Sequence, residues 1–144
     1  MLAIAHATSM RNQLVTTMGE APPLICVVDD DESVRESLPD LLRELGFKAE
    51  AFSSAKEYLE SETVSRTACL LLDVKMPGMA GPELQRELRQ LGHTFPIIFI
   101  TAHANPDVRP SISAQGGVEC LLKPFSEDAL VTALRSALSR VKTP

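Results

Sequence analysis

Five residues in this sequence have side chains suited to one chemistry, and each falls at the end of a short apolar run. Asp29 and Asp30 follow Leu24-Ile25-Cys26-Val27-Val28, and Asp73 closes Cys69-Leu70-Leu71-Leu72. Thr101 closes Ile97-Ile98-Phe99-Ile100, and Lys123 follows Val118 to Leu122. Three carboxylates brought together repel one another: at ~4 Å a pair costs about 4 kcal/mol even at an effective dielectric near 20. Such a group needs a cation, a proton or a lysine. Hard oxygen donors of this kind suit Mg²⁺, which takes one or two carboxylates and completes its shell with water and a phosphoryl oxygen. Lys123 supplies a point charge and Thr101 a hydroxyl donor for an oxyanion. A merely solubilising or helix-capping role suits Asp31 and Glu32, since acids ahead of a helix stabilise its positive end. For Asp29, Asp30 and Asp73 alone the two readings balance; Thr101 and Lys123 at matching run ends favour chemistry.

The elements that must position these residues alternate along the chain. Apolar runs at 24–28, 68–72, 96–100 and 118–122 (interrupted there by Glu119), with a more mixed stretch at 48–52, read as strands, four of them buried on both faces. Between them lie helical patterns at 33–45, about 55–62, 81–92 and a weaker one at 107–115. The last helix is capped by Ser126, with Glu127 and Asp128 in its first turn. Pro39 falls inside the 33–45 pattern, where it either kinks the helix or is absorbed by the backbone. Strands alternating with helices predict an α/β fold, a three-layer doubly wound (βα)5 arrangement of flavodoxin-like type. Its sheet has five parallel strands in the order 2-1-3-4-5. In such sheets the functional crevice lies beyond the carboxyl ends of the strands, at the switch point beside strand one.

Composition narrows the classes. The 144 residues are 44% hydrophobic and 23% charged, as in a globular domain, and no apolar run approaches the ~20 residues a membrane helix needs. A net charge of -5 without a basic stripe argues against direct nucleic-acid binding. Cys26, Cys69 and Cys120 sit inside apolar runs with no metal-ligand spacing, which points to small buried hydrophobes in a reducing, cytoplasmic compartment. Residues 1–22 carry no sustained periodicity and read as a flexible tail, with the domain at 23–142. The tail lacks the basic lead-in of a secretory signal.

The segments Val27-Val28-Asp29-Asp30-Asp31, Leu72-Asp73-Val74-Lys75-Met76-Pro77-Gly78, Ile100-Thr101-Ala102 and Leu122-Lys123-Pro124-Phe125 together resemble the receiver domain of two-component response regulators, of the CheY-like superfamily and its FixJ-like members. The resemblance spans 24–141 in order and spacing. It implies that Asp73 accepts a phosphoryl group from a phosphohistidine. Asp30, Asp73 and the backbone carbonyl of Lys75 would hold Mg²⁺ (with Mn²⁺ able to substitute), and Asp29 would act through metal-bound water. Lys123 would bridge Asp73 and a phosphoryl oxygen, Thr101 would bond another, and the Lys123-Pro124 peptide would be cis. It further implies a signalling phosphoacceptor rather than an enzyme acting on outside substrates. The donor would be a sensor histidine kinase or a histidine phosphotransfer protein. The output partner would dock on the face of the fourth predicted helix, fifth strand and last helix, with room for a homodimer there. No output segment follows the last helix, so a stand-alone receiver is expected unless the chain is part of a longer regulator.

Departures from the family pattern accompany the match. Members usually carry Tyr or Phe three residues before the lysine, where this chain has Cys120, and Pro110 falls in the fourth helical pattern. These keep open a phosphorylation-independent docking domain. Lys75 and His103, two residues beyond Asp73 and Thr101, flank the expected phosphoryl position; an ordinary loop histidine is an equal reading of His103. A phosphatase with an aspartyl-phosphate intermediate is disfavoured by Lys75, which stands where such hydrolases carry a second acid. A flavin-binding role is disfavoured because acids, not hydroxyls, follow the first strand.

Overall fold

The computed structural model describes residues 21–102 and 119–142. The expected tail up to residue 20, the helical pattern at 107–115 with Pro110, the Gly116-Gly117 pair and His103 lie outside the described residues. Five strands, β1 (Leu24–Val28), β2 (Lys48–Phe52), β3 (Cys69–Asp73), β4 (Ile97–Thr101) and β5 (Glu119–Leu122), form one all-parallel sheet in the order β2-β1-β3-β4-β5. The described helices are α1 (Glu32–Glu44), α2 (Ala55–Leu59), α3 (Gly81–Gln90) and α4 (Glu127–Lys142).

Alternation along the strands sorts side chains onto two faces. Ile25, Val27, Leu71, Ile98, Ile100 and Leu121 pack with Leu38 and Leu42 of α1 and Leu130 and Leu134 of α4. Cys26, Val28, Leu70, Leu72, Ile97 and Phe99 pack with Tyr58 of α2 and Leu84 and Leu88 of α3. This is why β1, β3 and β4 are nearly continuous apolar runs: both of their faces are covered, whereas the edge strand β2 keeps Lys48 exposed. Each fully buried aliphatic side chain contributes roughly 1.5–3 kcal/mol.

Helix starts follow local chemistry. Asp31 caps α1, accepting from the Ser33 N–H at 2.9 Å, and Ser126 Oγ accepts from the Ala129 N–H at 3.0 Å. Pro39 is accommodated: α1 continues through it with the ring buried. The expected helix at 55–62 is shorter. It ends at Leu59, and Ser61 opens a separate 3-10 turn, Glu62–Arg66, by accepting from the Thr63 N–H. A hydroxyl that can bond the backbone two residues ahead favours such a break over helix continuation.

Candidate active site at the carboxyl edge of the sheet

Strand register brings the acids together. Val28 pairs with Leu72 in the parallel ladder, so Asp29 and Asp73 stand side by side one step further on. Thr101 pairs with Leu122 across β4 and β5, which puts Lys123 at the same edge. One carboxylate oxygen each from Asp29, Asp30 and Asp73 lies within 4.8 Å of the others. Asp29 and Asp73 are buried, whereas Asp30 is exposed.

Asp29 is held closely. Its N–H donates to the Phe52 carbonyl at 3.1 Å, and its Oδ1 accepts from the Asp31 N–H at 2.9 Å. The Lys123 ammonium stands 2.8 Å from its Oδ2, which accepts no well-aligned hydrogen bond from the described residues. Lys123 is farther from Asp73, 4.0 Å from Oδ2, while Asp73 Oδ1 accepts from the Lys75 N–H at 3.3 Å. The lysine thus leans towards Asp29, with Asp73 its second partner. The Lys123 N–H donates to the Thr101 carbonyl at 2.8 Å, tying the β5 end to β4, and the Lys123-Pro124 peptide is cis.

Electrostatics follow from this crowding. Burial, then the Asp29 charge, raise the Asp73 carboxyl to about 7, with Lys123 opposing. Partial burial disfavours the Lys123 ammonium, but Asp29 and Asp73 outweigh it, so its pKa is raised. Asp31 is lowered by its hydrogen bonds from the Ser33 side chain and backbone, consistent with a helix cap. Lys75 is exposed and Thr101 half-exposed at the rim. An edge with three acids, one ammonium and a hydroxyl-bearing strand end can hold a divalent cation and neutralise an anion beside Asp73.

The model of the response regulator receiver domain matches residues 25–135. The chain belongs to the response regulator receiver family. This receiver is 40% identical over 121 residues to the response regulator protein TodT of Pseudomonas putida, covering 84% of this chain and 53% of that protein. It is 39% identical over 130 residues to nodulation protein W of Bradyrhizobium diazoefficiens, covering 90% of this chain and 57% of that protein. It therefore spans about half the length of the curated relatives it matches. Among solved structures, FixJ-N superposes with a TM-score of 0.76 at 29% identity, covering 87% of this chain and all of that one. The response regulator StyR matches with a TM-score of 0.76 at 44% identity, covering 83% of this chain and 61% of that one. The acidic pocket is of the kind in which receiver domains bind Mg²⁺.

The receiver brings Asp29, Asp30, Asp73 and Lys123 into one pocket, with Thr101 on the adjoining strand end. Two neighbours were not singled out from the sequence. Arg35 Nη1 donates to the Asp29 carbonyl at 3.1 Å. Gly81 lies so close to β3 that a Cβ there would sit 2.5 Å from the Asp73 carbonyl. A basic residue five positions past Asp30, and a glycine before a proline at a helix start, are the signals available; neither carries meaning without the geometry. Cys26 and Cys69 are buried core thiols, pushed up by burial to about 11 and about 12, and Cys120 is half-exposed on β5. Among the described residues, no helix is long and apolar enough to cross a membrane.

Proposed function

We propose that this receiver is a phosphorylation-driven switch in which Asp73 accepts the phosphoryl group of a phosphohistidine. The observation that carries the reading is the convergence of three carboxylates within 4.8 Å around the Asp73 side chain, with Lys123 4.0 Å away. An Asp73 carboxylate oxygen attacks phosphorus, a new O–P bond forms, and the N–P bond breaks with its electron pair returning to the imidazole. Lys123 balances charge on Asp73 and on a phosphoryl oxygen, and the Thr101 hydroxyl donates to another. Asp30, Asp73 and the Lys75 carbonyl would hold Mg²⁺, with Asp29 acting through bound water. When bound, the ion offsets the negative charge that gathers on the transferring group.

The donor fits a histidine kinase or a histidine phosphotransfer protein, and the geometry supports a place for it. A groove of about 570 Å³ runs from Asp31 and Lys123 along α1, its apolar wall made by Val34, Leu38, Leu41, Pro124 and Phe125. A helix laid in it would lie beside Lys123, whose ammonium stands 4.0 Å from Asp73 Oδ2. Output, by family resemblance, runs through the surface around β5 and α4. We take residues 23–142 as the receiver unit, preceded by a tail.

Intact mass after incubation with Mg²⁺ and acetyl phosphate tests this, comparing the wild type with Asp73→Asn. A Mg²⁺-dependent gain of one phosphoryl group, absent from the variant, is expected. No gain on folded protein, from acetyl phosphate or from a panel of histidine kinases, would overturn the reading in favour of a phosphorylation-independent docking domain.

A further inference from the structure

Asp29 is anchored at four points, and one of them is a side chain from the start of α1. Its N–H bonds to Phe52, its Oδ1 accepts from the Asp31 N–H, and its Oδ2 faces Lys123. The fourth anchor is its backbone carbonyl, which accepts from Arg35 Nη1 at 3.1 Å. Arg35 lies one turn into α1 and is half-buried. Its own N–H donates to the Asp31 carbonyl at 3.1 Å. A single residue therefore grips both ends of the three-residue turn 29–31, its side chain on the first carbonyl and its backbone on the last. Exposed Asp30 sits between these grips.

We propose that Arg35 is a positioning residue. By fixing the Asp29–Asp31 turn it sets how the Asp29 and Asp30 carboxylates meet a divalent cation, and in this it rests on the Mg²⁺ reading above. The sign of its effect separates this role from a simple charge effect. A guanidinium near a cation site opposes the cation, so by charge alone its removal would tighten Mg²⁺ binding by up to a few-fold, less in salt. A positioning role has the opposite sign: freeing the turn spreads the carboxylates over more arrangements, and binding weakens.

Mg²⁺ titration of the wild type, Arg35→Lys and Arg35→Met, with hydrogen exchange at the Asp31 amide, tests this. Met keeps the apolar stem and removes the donor; Lys keeps the charge on a more flexible arm. Expected are binding weakened about tenfold in Arg35→Met, by less in Arg35→Lys, and faster exchange at Asp31 with β1 amides unchanged. Binding in Arg35→Met as tight as or tighter than wild type, with unchanged Asp31 exchange, overturns the proposal. If the wild type itself binds no Mg²⁺, the metal reading fails. Asp31 exchange then decides alone, faster exchange supporting the grip and unchanged exchange overturning it. Should Arg35→Met also lose β1 protection, Arg35→Lys is read by the same criteria.

Discussion

At the residue scale, three carboxylates and one ammonium share the end of β1 and β3, so their charges are set jointly. Lys123 is drawn to Asp29 at 2.8 Å and stands farther from Asp73, whose carboxyl burial and the Asp29 charge raise to about 7. In the unfolded chain Asp73 would titrate near its ordinary value of 3.8. Between these values the folded form binds the extra proton, so stability falls as pH rises from about 4 through about 7. Asp73→Asn escapes this. Urea unfolding without divalent ions should show the variant more stable than wild type by roughly 1–3 kcal/mol at pH 8, the gap closing towards pH 4. A gap independent of pH would mean that the Asp73 carboxyl is not strained by its neighbours. The same proton competes with metal, so Mg²⁺ binding should weaken as pH falls below 7. Asp29, Asp30, Asp73, Thr101 and Lys123 were legible in the sequence because each terminates an apolar run. Arg35 and Gly81 were not, because a hydrogen bond to a carbonyl and a missing Cβ leave no mark in residue type.

At the scale of elements, the loop that carries Asp73 and Lys75 is fixed by the start of α3. The Gly81 N–H donates to the Val74 carbonyl at 3.0 Å, closing the loop, and Glu83 Oε1 accepts from the Ala80 N–H at 3.3 Å. Gly78 turns the loop with a positive φ of 81°. Gly81 serves a different need, close approach: an added Cβ would meet the Asp73 carbonyl at 2.5 Å and the Val74 Cα at 3.1 Å. Those are backbone atoms, so the clash cannot be relieved by a rotamer change. Gly81→Ala should cost about 1–3 kcal/mol by urea unfolding, despite the better helix propensity of alanine. It should also lower the rate of phosphorylation by acetyl phosphate, because the tightest clash falls on the Asp73 carbonyl. A stabilised variant with normal phosphorylation would show that α3 can shift freely. Sequence periodicity found this helix and the strands around it. It ran α2 on past Leu59, because the side-chain bond that starts the next turn at Ser61 is invisible to an apolar pattern.

At the scale of the molecule, the two-faced core and the charged edge pull in opposite directions. The sheet buries β1 and β3 on both faces, and this burial supports a carboxylate, Asp29, that is itself fully buried. Clustering of charge at the strand ends is therefore a standing cost to the fold in the absence of a cation. A ligand that binds only the folded state stabilises it by RT ln(1 + [L]/Kd). For a dissociation constant of about 1 mM, 10 mM Mg²⁺ adds about 1.4 kcal/mol, or roughly 3–6 °C in Tm for a chain of this size. Asp30→Asn separates this coupling from a general salt effect. Asp30 is exposed, and the backbone and side-chain bonds described for the 29–31 turn do not involve its carboxylate. The variant should thus fold with a Mg²⁺-free Tm equal to or above that of the wild type, since one repulsive charge is gone. Its rise in Tm with Mg²⁺ at pH 8 should shrink to that given by the same ionic strength of NaCl. An undiminished Mg²⁺ response in Asp30→Asn would place the ion elsewhere on the molecule and detach the stability of the sheet from the charge at its edge.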